Sequence, residues 1–354
     1  MRNEVSRRNS LLKKARGKIA GPASEAVLVS DRYDISYLTG FFTAGAMIML
    51  SAKGRPVYFV DSMNHDLARK MLDGIEIDLK AGSLVKELSG CVRDRGIKKL
   101  GIDEDNLPAS IYTRLSGTGR NLKIWRAPGI VRKMRAIKGR EEIEIMRRTA
   151  GETVRIWKDM KKRISPGMSE LELMTMLDIS IRSRGYDNSF PAIIAVGENS
   201  AYPHAIPSDR KLGRDEHVLI DFGIRFRGYC SDLTRIWAKG RINRKIRELE
   251  KFVDCVRDRT LKRLKPGADI GSLVKRANKF FYDNDLGKYI LHGLGHGVGL
   301  DIHEIPFLGE ASGERLRKGM VVAIEPGLYM PGVGGIRKED MVLITAKGCE
   351  VLTQ

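Results

Sequence analysis

The sequence predicts an α/β protein of two domains, a small one over residues 1–126 and a larger one over 130–354 built from two similar halves. Three observations predict it. Between residues 26 and 125 short apolar runs alternate with helical patterns, as in a small α/β layer structure. Ala127-Pro128-Gly129 then breaks the pattern. Beyond the break a helix–Pro-Gly–helix motif occurs twice, at Ser165-Pro166-Gly167 and Lys265-Pro266-Gly267, each time followed by strand runs, which marks an internal repeat.

Residues 1–20 have the pattern of an amphipathic helix ending near Gly17 or Gly21. Strands are expected at 26–30, 46–50, 56–60, 75–79, 99–103 and 122–125. The second and third of these flank Lys53-Gly54 as a hairpin. Helices are expected at 34–38, 64–72, 83–95 and 107–115. In the second domain helical periodicity marks 138–163, 169–184, 245–264 and 270–283, and Ser169 with Glu172 forms a capping box. Strand runs fill 192–237 and 293–352, which suggests a site between the two halves.

Of the 354 residues 42% are apolar and 30% charged, a globular balance that buries a core without disulfides. Cys91, Cys230, Cys255 and Cys349 are scattered without a C-x-x-C pair, as expected of free thiols in a reducing compartment. The basic opening residues lack the apolar run of a secretory leader. No run of about 18 apolar residues suggests a membrane span. A cytoplasmic protein is expected. The net charge of +19 is spread along the chain. Its densest stretch, 132–163, interleaves Glu141, Glu142, Glu144 and Glu152, as on a solvated helix face. Without an RNP motif, zinc-finger spacing or aromatic-interleaved basic strip, specific nucleic-acid recognition is not expected. Salt-sensitive attraction to polyanions is.

Three motifs carry the chemistry. The first is Val218-Leu219-Ile220-Asp221-Phe222-Gly223, followed by Tyr229-Cys230-Ser231-Asp232-Leu233-Thr234. Carboxylates ending apolar runs need a partner when buried. About the turn-like Arg225-Phe226-Arg227-Gly228, Asp221 and Asp232 are nearly equidistant, so they are expected opposite one another on one hairpin face. A pair of solvated surface aspartates fits the same spacing. The second motif is His292-Gly-Leu-Gly-His296-Gly-Val-Gly-Leu-Asp-Ile-His303-Glu, which holds three of the six histidines. His292 and His296 share a face in strand or helix, and the glycines argue against helix. A phosphate-cradling reading lacks the following helix and downstream acid that it requires. The third motif is Val321-Val322-Ala323-Ile324-Glu325-Pro326-Gly327 with Gly334-Gly335-Ile336-Arg337-Lys338-Glu339-Asp340. Glu325 and Glu339 are symmetric about Gly332 and are expected to face each other across a second hairpin. Four carboxylates and one imidazole suit Mn(II), Co(II), Fe(II) or Zn(II). They carry more charge than one divalent ion neutralises, so two ions roughly 3.5 Å apart fit better, and hydrolysis is the simplest outcome.

These motifs together resemble the pita-bread metallopeptidases, the family of methionine aminopeptidase, aminopeptidase P and prolidase, across essentially the whole chain. The resemblance is closest to the compact prokaryotic Xaa-Pro dipeptidase (prolidase) branch. It implies a creatinase-like N-terminal α/β domain and a pita-bread catalytic domain with a pseudo-two-fold repeat. It implies metal ligation by Asp221, Asp232, His296, Glu325 and Glu339, with Asp232 and Glu339 bridging two ions, Mn(II) or Co(II) foremost and Zn(II) or Fe(II) as alternatives. It implies Glu325 as general base or proton shuttle, with His204 near the scissile bond and His303 stabilising the tetrahedral intermediate. His292 and Arg337 match positions lining the substrate pocket. Arg337 would pair there with a carboxylate, or instead form an ion pair beside Glu339. The implied activity is hydrolysis of Xaa-Pro dipeptides by a homodimer. Alternatives are an aminopeptidase P acting on longer peptides, a hydrolase of another C–N or P–O bond, and a noncatalytic binding module. Two positions depart from the family pattern: Ala205 follows His204 where glycine is common, and Lys338 precedes Glu339 where an apolar residue is common. Both bear on substrate preference more than on catalysis.

Overall fold

The apolar runs between residues 26 and 126 assemble into a six-stranded mixed sheet in the order Glu76–Lys80, Val57–Asp61, Met47–Ser51, Ala26–Val29, Lys99–Ile102, Lys123–Arg126. The computed structural model describes residues 2–19, 25–80, 84–117, 122–127 and 129–354. Gly21, Ser83 and Pro128, which the sequence reading used as boundaries, lie outside the described residues. The expected hairpin forms, with Ile48 opposite Tyr58 and Gly54 in the turn at φ 84°. Ala26–Val29 also pairs antiparallel with Met47–Ser51, and the remaining pairs are parallel, with helices in their crossovers, as parallel pairing requires. Leu28, Met49, Phe59 and Leu100 fill the core on one face of the sheet. A short helix, Ile130–Arg135, is additional to the sequence expectation. Its buried Arg135 donates to Asp34 Oδ1 at 2.8 Å, which ties it to the first of two compact units, Met1–Arg135 and Ala136–Gln354.

In the second unit two helical pairs, Arg140–Lys161 with Glu170–Arg182 and Arg244–Leu261 with Ile270–Tyr282, back two groups of strands. The repeat extends to individual hydrogen bonds. Gly167 N donates to Leu212 O and Gly267 N to Leu316 O, both at 2.8 Å, with both glycines at positive φ. Ser169 and Asp269 cap their helices and bridge Lys211 and Arg315 respectively. The first half carries a sheet in the order Leu233–Ala238, His217–Phe222, Ile193–Val196. The second carries Glu304–Leu308, Gly295–Gly297, Val321–Ile324, Asp340–Ile344, Cys349–Val351. Each sheet packs an apolar face on its helices: Leu173, Leu177, Ile194 and Ile220 in one core, Val253, Val274, Phe281, Val322 and Ile324 in the other. Full burial of such side chains contributes about 1.5–3 kcal/mol each. The opposite sheet faces hold the polar residues considered next.

Candidate metal centre

The first pair of carboxylates is set by a turn. Arg227 and Gly228 both take positive φ, 50° and 84°, so the hairpin reverses at these two residues, as in a type I′ turn. Phe226 therefore pairs with Tyr229, and Asp221 lies opposite Thr234, not Asp232. The expected direct pairing of the two aspartates is thus corrected by two residues. They become diagonal neighbours across the strands, still close enough for the charge of Asp221 to raise the pKa of Asp232.

The second pair follows expectation. Ile324 pairs with Asp340 in one sheet and Gly327 with Arg337 in the next. Glu325 and Glu339 occupy the step between those sheets in the same register. The strand Gly295–Gly297 brings in His296 between Glu304–Leu308 and Val321–Ile324. A Cβ at Gly295 would lie 2.0 Å from Ala323 O, and one at Gly297 2.5 Å from Ile305 O, so only glycines admit this strand.

Ligand atoms of Asp232, His296 and Glu339, all buried, lie within 4.8 Å of one another. His296 Nδ1–H donates to Gly297 O at 3.1 Å, which leaves Nε2 without a proton, 3.6 Å from Asp232 Oδ2 and 3.5 Å from Glu325 Oε1. Burial, helped by nearby His303, lowers the His296 pKa to about 4, so the imidazole is neutral, as a ligand must be. His303 packs edge-on against it at 4.3 Å between ring centroids. Glu325, 18% exposed, lies between His296 and His292, whose Nδ1 is 3.9 Å away. Burial pushes the Glu325 carboxyl up to about 8. Burial and the surrounding carboxylates likewise raise Asp232 and Glu339 well above their usual range.

Arg337 is buried and fully engaged. Its Nη2 donates to Asp221 Oδ2 at 2.5 Å, Nη1 to the Tyr329 hydroxyl at 2.7 Å, and Nε to Thr234 Oγ1 at 3.1 Å. The ion pair weighed beside Glu339 is therefore made with Asp221. The geometry favours holding that carboxylate over meeting one from a substrate. Tyr329 donates in turn to His292 Nε2 at 2.6 Å, and Thr234 to Glu339 Oε2 at 2.8 Å. Sequence reasoning missed Thr234, which joins Glu339 to Arg337, and Tyr329, which joins His292 to Arg337. His204 is exposed on the segment after the 3₁₀ helix Gly197–Ala201, near enough for its charge to bear on His292. Ala205 beside it is half-buried. Lys338 points away from these groups, with Nζ 2.8 Å from both Glu250 Oε1 and Asp254 Oδ2, so its effect on the pocket is not direct contact.

The donor set fits divalent metal. Asp221 Oδ1 is buried with no hydrogen-bond partner among the described residues, and the Arg337 guanidinium paired with Asp221 Oδ2 leaves most of the cluster's negative charge unbalanced. Oxygen donors with one neutral imidazole suit ions such as Mn(II), Co(II), Fe(II) or Zn(II).

Comparison with known proteins agrees with this chemistry. Residues 144–346 match metallopeptidase family M24 and residues 12–137 match the creatinase/prolidase N-terminal domain. An Xaa-Pro dipeptidase of Pyrococcus horikoshii is 31% identical over 93% of each chain. The solved Xaa-Pro dipeptidase from Bacillus anthracis is 31% identical with a TM-score of 0.91 over 98% of each chain. An X-Pro aminopeptidase from Thermotoga maritima is 29% identical with a TM-score of 0.84, over 96% of this chain and 97% of that one. With the fold of the prolidases and a buried acid–imidazole cluster fit for divalent metal, the chain belongs to metallopeptidase family M24 and is a peptidase.

Proposed function

We propose that the protein is a dinuclear metal-dependent exopeptidase that hydrolyses Xaa-Pro dipeptides. The observation that carries this reading is the buried group Asp232, His296 and Glu339 in a chain similar along its length to Xaa-Pro dipeptidases. Asp232 and Glu339 would hold both ions, Asp221 one of them, and His296 with Glu325 the other. Mn(II) or Co(II) is the preferred occupant, with Zn(II) or Fe(II) compatible. Divalent metal there supplies Lewis acidity and a water of lowered pKa. Glu325, ionised once metal is bound, would take the proton of the attacking water and pass it to the leaving proline nitrogen. Arg337 and Thr234 hold Asp221 and Glu339 in place. His204 and His303 approach the peptide, His204 at the scissile bond and His303 at the oxygen of the tetrahedral intermediate. His292 lines the pocket with its ring on Tyr329.

The working form in this reading is a cytoplasmic homodimer whose partners are short proline-containing peptides. Likeness to an X-Pro aminopeptidase supports a second reading, removal of the residue before proline from longer peptides. Metal-loaded protein offered Ala-Pro, Met-Pro and Met-Pro-Ala, with products identified, separates the two. Free proline from the dipeptides is expected. Cleavage of the tripeptide alone moves the assignment to aminopeptidase P, and cleavage of neither overturns both.

A further inference from the structure

Glu170 is fully buried, yet no cation pairs with it among the described residues. Its Oε1 accepts from Val196 N at 2.7 Å and Asn199 Nδ2 at 3.0 Å. Its Oε2 accepts from Ser208 N at 2.9 Å and Ser208 Oγ at 2.7 Å. Four donors saturate an ionised carboxylate, and its place at the first position of the helix Glu170–Arg182 favours negative charge. Val196 and Asn199 begin, and Ser208 ends, the segment that carries His204. Glu170 therefore closes the base of that loop.

The internal repeat supplies a control. The corresponding residue after the second helix cap is Ile270, also 0% exposed and part of an apolar core. The fold accepts hydrocarbon at this position, so the carboxylate in the first half serves what differs there, the loop. Little else holds the loop's outer part: Tyr202 is 65% and Ile206 87% exposed. Its ends are also held by Arg210 Nε, which donates to Val196 O at 3.0 Å, and by Leu171 N, which donates to Ser208 O at 3.2 Å, and its middle by the strand Gly334–Arg337, where Ser200 Oγ accepts from Gly335 N at 2.7 Å and Arg337 Nη1 donates to Pro203 O at 3.4 Å. The loop is thus strapped between Glu170 and the strand that bears Arg337.

We propose that Glu170 is a positioning residue for catalysis: by clamping both ends of the 196–208 loop it sets where His204 meets the peptide. The proposal rests on the role given to His204 above. Glu170→Gln keeps shape but presents N–H groups to a set of donors, so Val196 N or Ser208 N loses its acceptor. Amide hydrogen exchange across 197–207 should then rise at least tenfold, while metal affinity stays within twofold. On Ala-Pro, kcat/KM should fall about tenfold or more, chiefly in kcat. Because Glu170 acts through His204, Glu170→Gln added to His204→Ala should slow the enzyme no more than twofold further. Ser208→Ala removes one of the four bonds and should give a smaller loss in the same direction, and it serves if the Gln variant does not fold. Unchanged exchange overturns the proposal, as does a double variant whose losses multiply, or a metal affinity that falls in step with activity. If the unsubstituted protein cleaves no Xaa-Pro peptide, the functional reading fails, and exchange at 197–207 alone still decides whether Glu170 clamps the loop.

Discussion

Thr234 offers a direct test of how the carboxylates of the candidate metal centre are held. Its hydroxyl, fully buried, donates to Glu339 and accepts from Arg337 Nε. Thr234→Val keeps the shape and removes only this polar link. In the metal-free protein the Glu339 carboxyl is raised toward its neutral form, so the lost bond contributes about 1 kcal/mol. Arg337 Nε is left buried without an acceptor, which costs about 1–3 kcal/mol. The variant should therefore unfold about 2–4 kcal/mol more easily in urea after chelation. Glu339 also loses the partner that orients it, and metal affinity measured by calorimetry should fall about 10–100-fold. Thr234→Ser keeps the hydroxyl and loses one methyl group, so it should recover most of both properties. A valine variant as stable and as metal-avid as the parent, or a serine variant as impaired as valine, refutes the reasoning.

Asp232→Ala should remove bound metal and activity together, because its carboxylate lies at the centre of the buried group; retained activity would sink the ligand assignment. Chelation should make stability depend on pH. Glu325 at about 8, with Asp232 and Glu339 also raised, binds protons in the folded state that unfolded carboxyls release near pH 4. Stability of the metal-free protein is therefore full below about pH 4 and falls as pH rises through about 8, whereas the metal-loaded protein, with its carboxylates held ionised, lacks that fall. Equal thermal midpoints at about pH 5 and pH 9 after chelation would contradict this. Lys338→Met should reduce stability by about 1 kcal/mol, since its ion pairs with Glu250 and Asp254 are partly exposed and screened. KM for Ala-Pro should stay unchanged, and a shift beyond about fivefold would place the ammonium in the pocket.

What could be read from the chain depended on whether the cue was local. Carboxylates closing apolar strands, three histidines in a glycine run and a repeated Pro-Gly joint are all visible in a short window. They located the cluster, the two halves and the second hairpin, whose reversal around Gly332 is written in glycines and proline. The supporting residues were not legible because a threonine and a tyrosine in strands are ordinary strand residues. Glu170 was hidden in another way: at the start of a capped helix a glutamate is common, and only the return of the chain at Ser208 gives it a second set of donors.

The misread register in the first half and the missed Thr234 have one cause. A turn centred on Phe226-Arg227 would have put Asp232 opposite Asp221 and left Thr234 without evident purpose. The actual turn depends on Arg227 adopting φ 50°, a conformation more common in Asn, Asp or Gly, and the residue type does not announce it. Moving the reversal to Arg227-Gly228 sets Thr234 opposite Asp221, between Arg337 and Glu339. Asp232 becomes the diagonal neighbour and enters the group with His296 and Glu339. The turn at Arg227-Gly228 thus links the carboxylates of the first half to Glu339 through a hydroxyl and a guanidinium, and that arrangement is what the Thr234→Val experiment tests.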